Sequence, residues 1–307
     1  MIKNLFSLSI LLLIFQSLPA QVGINTTTPH PKSALDVNST TQGFLPPRMT
    51  TTQRNAISSP IPAGLLIWCL DCGVSGQVQV FDGITWKDMA GGNATSFMCG
   101  TSLVTFNYNG STVTFGTVLN PTTNRCWLDR NLGASQVATS STDAAAYGDL
   151  FQWGRRSDGH QARSSNTTNI VSTTDTPEHG DFILTEDVSG DWRSPQNSSL
   201  WQGVNGINNP CPYGYRIPTT QEFNAELGSW GSDNSGGAFS SPLKLTAGGA
   251  RTTGDGSIYD LNNVGHYWAS TVTFDLLYSN LLFFASNGAS VTSNTRAEAH
   301  SVRCIKD

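Results

Sequence analysis

Pro210-Cys211-Pro212-Tyr213-Gly214-Tyr215-Arg216-Ile217-Pro218-Thr219, followed by Glu222-Phe223, is the stretch on which the fold turns. Prolines and a glycine punctuate it, and Thr220 stands where a hydroxyl caps a helix running from Gln221 to about Leu227. Two further motifs follow: Gly265-His266-Tyr267-Trp268-Ala269-Ser270-Thr271, and Ser301-Val302-Arg303-Cys304 close to the end.

Together the three motifs resemble the Fibrobacter succinogenes major paralogous domain, a family of exported bacterial modules related to the C-type lectin-like fold. The resemblance spans residues 97–307. It implies an α+β domain with antiparallel strands, two short helices and long loops, serving as a non-catalytic surface module that presents loops to a glycan or protein ligand. The chain departs from shorter members of that family in carrying the long stretch from Arg155 to Asn209.

Outward from this core, the N-terminus begins with Lys3, an apolar run from Leu5 to Phe15, and Leu18-Pro19-Ala20 before Gln21. Residues 1–20 therefore read as a secretory signal, too short to span a bilayer, and the mature protein is expected to be secreted or held at the cell surface. No membrane span is expected. Removing Lys3 takes the formal net charge from -5 to -6 (-5 minus 1), a sign that disfavours nucleic acid. Charged residues make up only 13% of the chain, and the Ser, Thr, Asn and Gly that replace them suit short strands and turns.

Gln21 to Met89 shows little amphipathic helix pattern. Val22-Gly23-Ile24-Asn25, Ala34-Leu35-Asp36-Val37 and Gly43-Phe44-Leu45-Pro46-Pro47-Arg48-Met49 resemble the N-terminal parts of Bacteroidetes surface proteins and tail-fibre-like proteins. One helical turn is expected near Gln53–Ile57, then strands at Gly64–Trp68 and Gln77–Phe81 with a turn at Asp82-Gly83. A segment this short buries little core by itself, so packing on partner chains is expected, as a homotrimer by resemblance to fibrous surface proteins. Residues 90–96, small and polar, read as a linker.

Beyond it, Leu103–Tyr108 and Thr112–Phe115 alternate around Asn109-Gly110, a strong hairpin signal, with a third strand near Arg125–Leu128. Ala144 to Gly154 contains the clearest helix candidate of the domain, with Thr142 or Asp143 placed to cap it, and Arg155–Asn209 reads as polar loop anchored by Trp192 and Trp201.

Six cysteines follow the signal, in a compartment where bridges persist. Cys69 and Cys72 suit a local bridge. The two reversals of the expected meander bring Cys99 and Cys126 to one end and leave Cys211 for Cys304.

Catalysis finds little footing. The chain resembles the formylglycine-generating enzymes only in Arg216-Ile217-Pro218-Thr219 and Glu222-Phe223, and Cys304 lacks the close second cysteine those enzymes use. His30, His160, His179, His266 and His300 show no zinc-ligand spacing, and no GxSxG nucleophile elbow occurs. Neither an enzyme nor a metal or cofactor site is expected. Asp233-Asn234 and Asp255 in Gly-rich loops are accounted for by turn chemistry.

Recognition is placed on Thr273–His300. Leu281-Leu282-Phe283-Phe284-Ala285 is apolar on both faces, so the sheet is either covered on both sides or exposes a contact patch. The same stretch resembles a C-terminal segment that some lectin-like proteins diversify. That likeness implies Phe274, Asp275, Tyr278, Leu281, Phe283, Ala285, Ser290, Ser293 and Glu298 as ligand-facing positions.

Overall fold

The computed structural model describes residues 21–73, 76–89, 97–185 and 190–307. The signal at 1–20 and the linker at 90–96 lie outside the described residues. The chain divides into two compact units at Pro47/Arg48, inside the segment read as 21–89.

In the first unit the strands Val22–Ile24 and Leu35–Val37 run parallel, with Val22 opposite Leu35 and Ile24 opposite Val37. Local bonds hold the connection between them. Asp36 accepts from the His30 backbone N–H (2.8 Å), and the Gln21 amide donates to the Ser33 carbonyl (2.9 Å). No residue of this arm is buried.

The second unit opens with a four-stranded sheet ordered Arg48–Met49, Leu66–Cys69, Gln77–Phe81, Trp86–Asp88. Thr50 and Gln53 form a capping box that starts the helix Thr51–Asn55, satisfying backbone donors the first turn would leave open. The core here is small: Ile67 and the bridged Cys69 and Cys72, flanked by Met49 and Trp86. Arg54 is buried, its charge met by the Gln79 side-chain oxygen (2.7 Å).

The hairpin Val104–Tyr108/Ser111–Phe115 closes through Asn109 and Gly110, both at positive φ as a two-residue turn of this kind requires. The expected third strand does not join it. Gly116 breaks the run, its N–H donating to Asp129 (3.0 Å), where a side chain would collide with that carboxylate. Arg125–Leu128 pairs instead with Thr117–Asn120, in a sheet ordered Tyr215–Arg216, Ile305–Lys306, Arg125–Leu128, Thr117–Asn120. Cys99 nevertheless bridges Cys126, and Cys211 bridges Cys304 beside the last strand.

A three-stranded antiparallel sheet, Gly265–Val272, Ser279–Ala285 and Gly288–Asn294, forms the centre. Alternate side chains serve two cores. Trp268 and Leu281 enter one with Trp153, Trp192, Trp201 and Val302; Tyr267, Leu282 and Phe284 enter the other with Trp127, Phe223 and Ile305. The doubly apolar strand is thus covered on both sides.

Two local expectations change. Thr219, not Thr220, caps the helix Thr220–Leu227, because its hydroxyl and the Glu222 carboxylate complete a capping box. Ala144–Gly154 forms only a 3-10 turn at Ala144–Ala146, capped by Asp143. Gly148 and Gly154 sit at positive φ, and Phe151–Gln152 leaves to pair with Ala299–His300. A further short helix, Ser235–Ser240, is capped by Asn234.

The Arg155–Asn209 stretch is largely irregular and held by buried polar side chains. Arg155 donates to the Gln152 side chain (2.8 Å) and the Asp181 carbonyl (3.0 Å), while Trp192 and Trp201 are buried as anchors. The architecture is α+β, dominated by sheets.

Candidate functional site

The three motifs converge inside the domain. Arg216 forks onto Glu222 (2.7 and 2.8 Å), whose carboxylate also accepts from the Thr219 N–H, so this motif fixes the strand-to-helix junction. The pairing with Glu222 and Asp307 raises the Arg216 pKa. Arg303 is fully buried and donates twice to Asn131 Oδ1 (3.0 and 2.9 Å) and once to the Leu243 carbonyl (2.8 Å). The Asn131 amide donates in turn to Tyr267 Oη (3.0 Å), and Trp268 Nε1 donates to the Phe151 carbonyl (2.7 Å). Residues from all three motifs are therefore structural keystones.

The nine positions assigned to ligand contact separate into three settings. Phe274 and Asp275 are exposed and Tyr278 is half-buried, at the tip between the first two strands of the central sheet. Phe283, Ala285 and Ser290 share one face of that sheet, with Phe283 opposite Ser290; Ser293 lies on the other face, opposite Asn280. Leu281 and Glu298 are buried. Leu281 is 2% exposed within the larger core, placed there by the alternation that sends Leu282 the other way. Glu298 is a buried acceptor for the Thr253 N–H (3.0 Å) and Tyr259 Oη (3.0 Å), and burial raises its pKa.

The tip carries exposed apolar side chains on a backbone held by local bonds. Phe274, Leu276 and Leu277 are all exposed, and Leu276 holds a left-handed backbone that bulky side chains avoid. Asp275 accepts from the Thr273 hydroxyl and the Leu277 N–H (3.1 Å). From beneath, Arg296 donates to the Leu276 carbonyl (2.7 Å) and lies 3.6 Å from buried Asp191. Burial pushes the Asp191 carboxyl up to about 6.

Sequence spacing missed one cluster. His266 and His300 stack at 5.1 Å, with His300 against Trp268 (4.3 Å) and His266 against Phe283 (5.5 Å). Burial lowers the pKa of both rings. The two-residue spacing of His266 and Trp268 was the signal that they share a face; nothing local tied His300 to them. His160 is buried and committed: its Nδ1 bonds Asp158 Oδ1 (2.6 Å) and its Nε2 accepts from the Gln152 N–H (3.1 Å). His179 is half-buried on an open depression that it shares with Arg156, Asp158 and Glu178. Asn234 and Asp255 cap backbone N–H groups, as turn chemistry requires.

In the N-terminal part, large apolar side chains face solvent: Val22, Ile24, Leu35, Val37, Phe44, Leu45, Ile84 and Met89. Among the described residues no helix is long and apolar enough to cross a membrane. No curated protein and no solved structure matches the chain. Residues 23–112 match the family described as Phage tail like trimerisation region, a span that runs from Gly23 of the arm through the four-stranded sheet to Thr112 in the first hairpin.

Proposed function

We propose that the chain is a structural component of a trimeric cell-surface or fibre-like assembly, whose N-terminal part joins three copies and whose bridged C-terminal domain is displayed. One observation carries this reading: the match to a trimerisation region, residues 23–112, takes in an arm that buries none of its own residues. Export through the segment 1–20 fits the three disulfides, which persist in oxidising compartments. No catalytic role is assigned. The test is the mass in solution of the mature chain by sedimentation velocity. Three copies are expected, and a single-chain mass at micromolar concentration rejects the reading.

A second reading is favoured by the tip. In this reading the C-terminal domain is lectin-like, and its loop at Phe274–Leu277 docks a glycan or a cell-surface protein, losing little ordering entropy because the loop is already braced. Binding of the full chain to glycan and cell-surface protein arrays tests it. Binding unchanged by Phe274→Ser together with Leu277→Ser removes the tip from the account.

A further inference from the structure

We infer that the arm's two-stranded ladder is the surface on which copies of this chain meet, through the single face that carries Val22, Ile24, Leu35 and Val37. The inference rests on the trimeric reading and specifies where contact is made.

Register supplies the first argument. In a parallel pair, residues opposite one another project to the same face, and residues two apart along a strand do likewise. Val22 lies opposite Leu35 and Ile24 opposite Val37, so all four apolar side chains share one face. Gly23 and Asp36 occupy the other, where the Asp36 carboxylate is used by the His30 backbone N–H.

Exposure supplies the second. The four side chains are between 40% and 55% exposed within one chain, a contiguous apolar patch on a segment without a core. A lone two-stranded ladder is marginal in water. Here its geometry is nonetheless fixed by bonds inside the arm, including Asn38 N–H to the Ile24 carbonyl (3.0 Å) and the Gln21 amide to Ser33. A preformed face that is apolar and uncovered is suited to bury itself against another surface of the same kind.

The sheet that follows in the chain supplies the third. The trimerisation match spans both the arm and the sheet from Arg48 to Asp88, but that sheet already covers Ile67 and its bridge with Met49 and Trp86. Its exposed Ile84 stands on a turn whose backbone is tied to Asp82. Among the described strands of the matched region, those whose apolar side chains stand exposed are the arm's. The occupant is a second and third copy, which present the same four side chains around a three-fold axis.

The experiment uses the full mature chain and sedimentation velocity over a concentration series. Ile24→Asp with Val37→Asp places two carboxylates in the contact and is expected to weaken association by on the order of 100-fold or more. Ile84→Asp, a control outside the ladder, is expected to leave it within about 3-fold. Near-ultraviolet circular dichroism of the C-terminal tryptophans checks that each variant stays folded. Ile24→Cys is expected to crosslink chains on oxidation, whereas Asp36→Cys on the opposite face is not. A trimeric wild type whose double variant remains trimeric, or whose Asp36→Cys crosslinks as readily as Ile24→Cys, overturns this inference and leaves the trimeric reading standing. A monomeric wild type overturns both.

Discussion

Replacing Cys211 and Cys304 together by alanine opens the longest covalent loop of the chain, which spans 93 residues. In the chain-entropy account a bridge stabilises by restricting the unfolded ensemble, and the effect grows with the logarithm of loop length; for this loop it is about 4.6 kcal/mol. Cys99–Cys126 spans 27 residues, for about 3.5 kcal/mol, and Cys69–Cys72 spans 3, for roughly 1.6 kcal/mol. The native setting favours the same order. Cys304 is buried in the larger core, and its carbonyl accepts from the Leu128 N–H (3.0 Å), so the bridge pins the last strand beside Arg125–Leu128. The assay is urea unfolding of the full mature chain at fixed concentration, followed by tryptophan fluorescence. With a slope of about 2 kcal/mol per molar urea, losing the long bridge lowers the midpoint by roughly 2 M, and losing the short one by under about 1 M. If the Cys69/Cys72 pair proves as costly as the Cys211/Cys304 pair, loop entropy is not what these bridges contribute, and the reasoning is refuted.

Arg303→Met leaves Asn131 Oδ1 and the Leu243 carbonyl without their buried donor and is expected to cost about 3 kcal/mol; a thermal-melt shift equivalent to under about 1 kcal/mol contradicts the keystone role. Two buried groups give opposing pH responses. Burial and the nearby Arg155 charge lower His160 to about 4, so the unfolded chain takes up that proton first and stability falls as pH drops from about 6.5 towards 4, by up to about 3 kcal/mol. Asp191 is raised to about 6, so there the folded chain takes the proton first and stability rises as pH falls from about 6 towards 4. Asp191→Asn removes the second response, and its urea midpoint is expected to decline more steeply than the wild type between pH 6.5 and 4.5; parallel profiles count against these assignments. Phe274→Ser with Leu277→Ser touches no core contact and is expected to change stability by under about 0.5 kcal/mol in the same urea assay, so a larger loss means the tip is packed rather than displayed.

What was readable along the chain follows from how far each determinant reaches. Asn109-Gly110 specifies its hairpin because both residues accept positive φ, and the strands on either side alternate at the same period. Leu281–Ala285, apolar at odd and even positions alike, left open a sheet covered on both sides or an exposed patch, and the two cores that receive Leu281 and Leu282 decide for cover. The helix expected at Ala144–Gly154 failed for a non-local reason: Phe151–Gln152 gains more by pairing with Ala299–His300 than by continuing a run already interrupted at Gly148. Of the nine recognition positions, Phe274 and Asp275 came out at the surface, while Leu281 and Glu298 went inside; sheet register placed Leu281, and the Thr253 and Tyr259 donors hold Glu298.

By itself the sequence determined the turns, the cap region before Glu222, the strand alternation and the supply of cysteines, since each depends on φ preferences or side-chain spacing within a few residues. Tertiary structure alone decided that His266 meets His300, that Arg296 and Arg303 are buried with partners distant in the chain, and that the arm's ladder leaves one apolar face open. Those outcomes arise when register and burial are settled between segments far apart, where no local pattern carries the information.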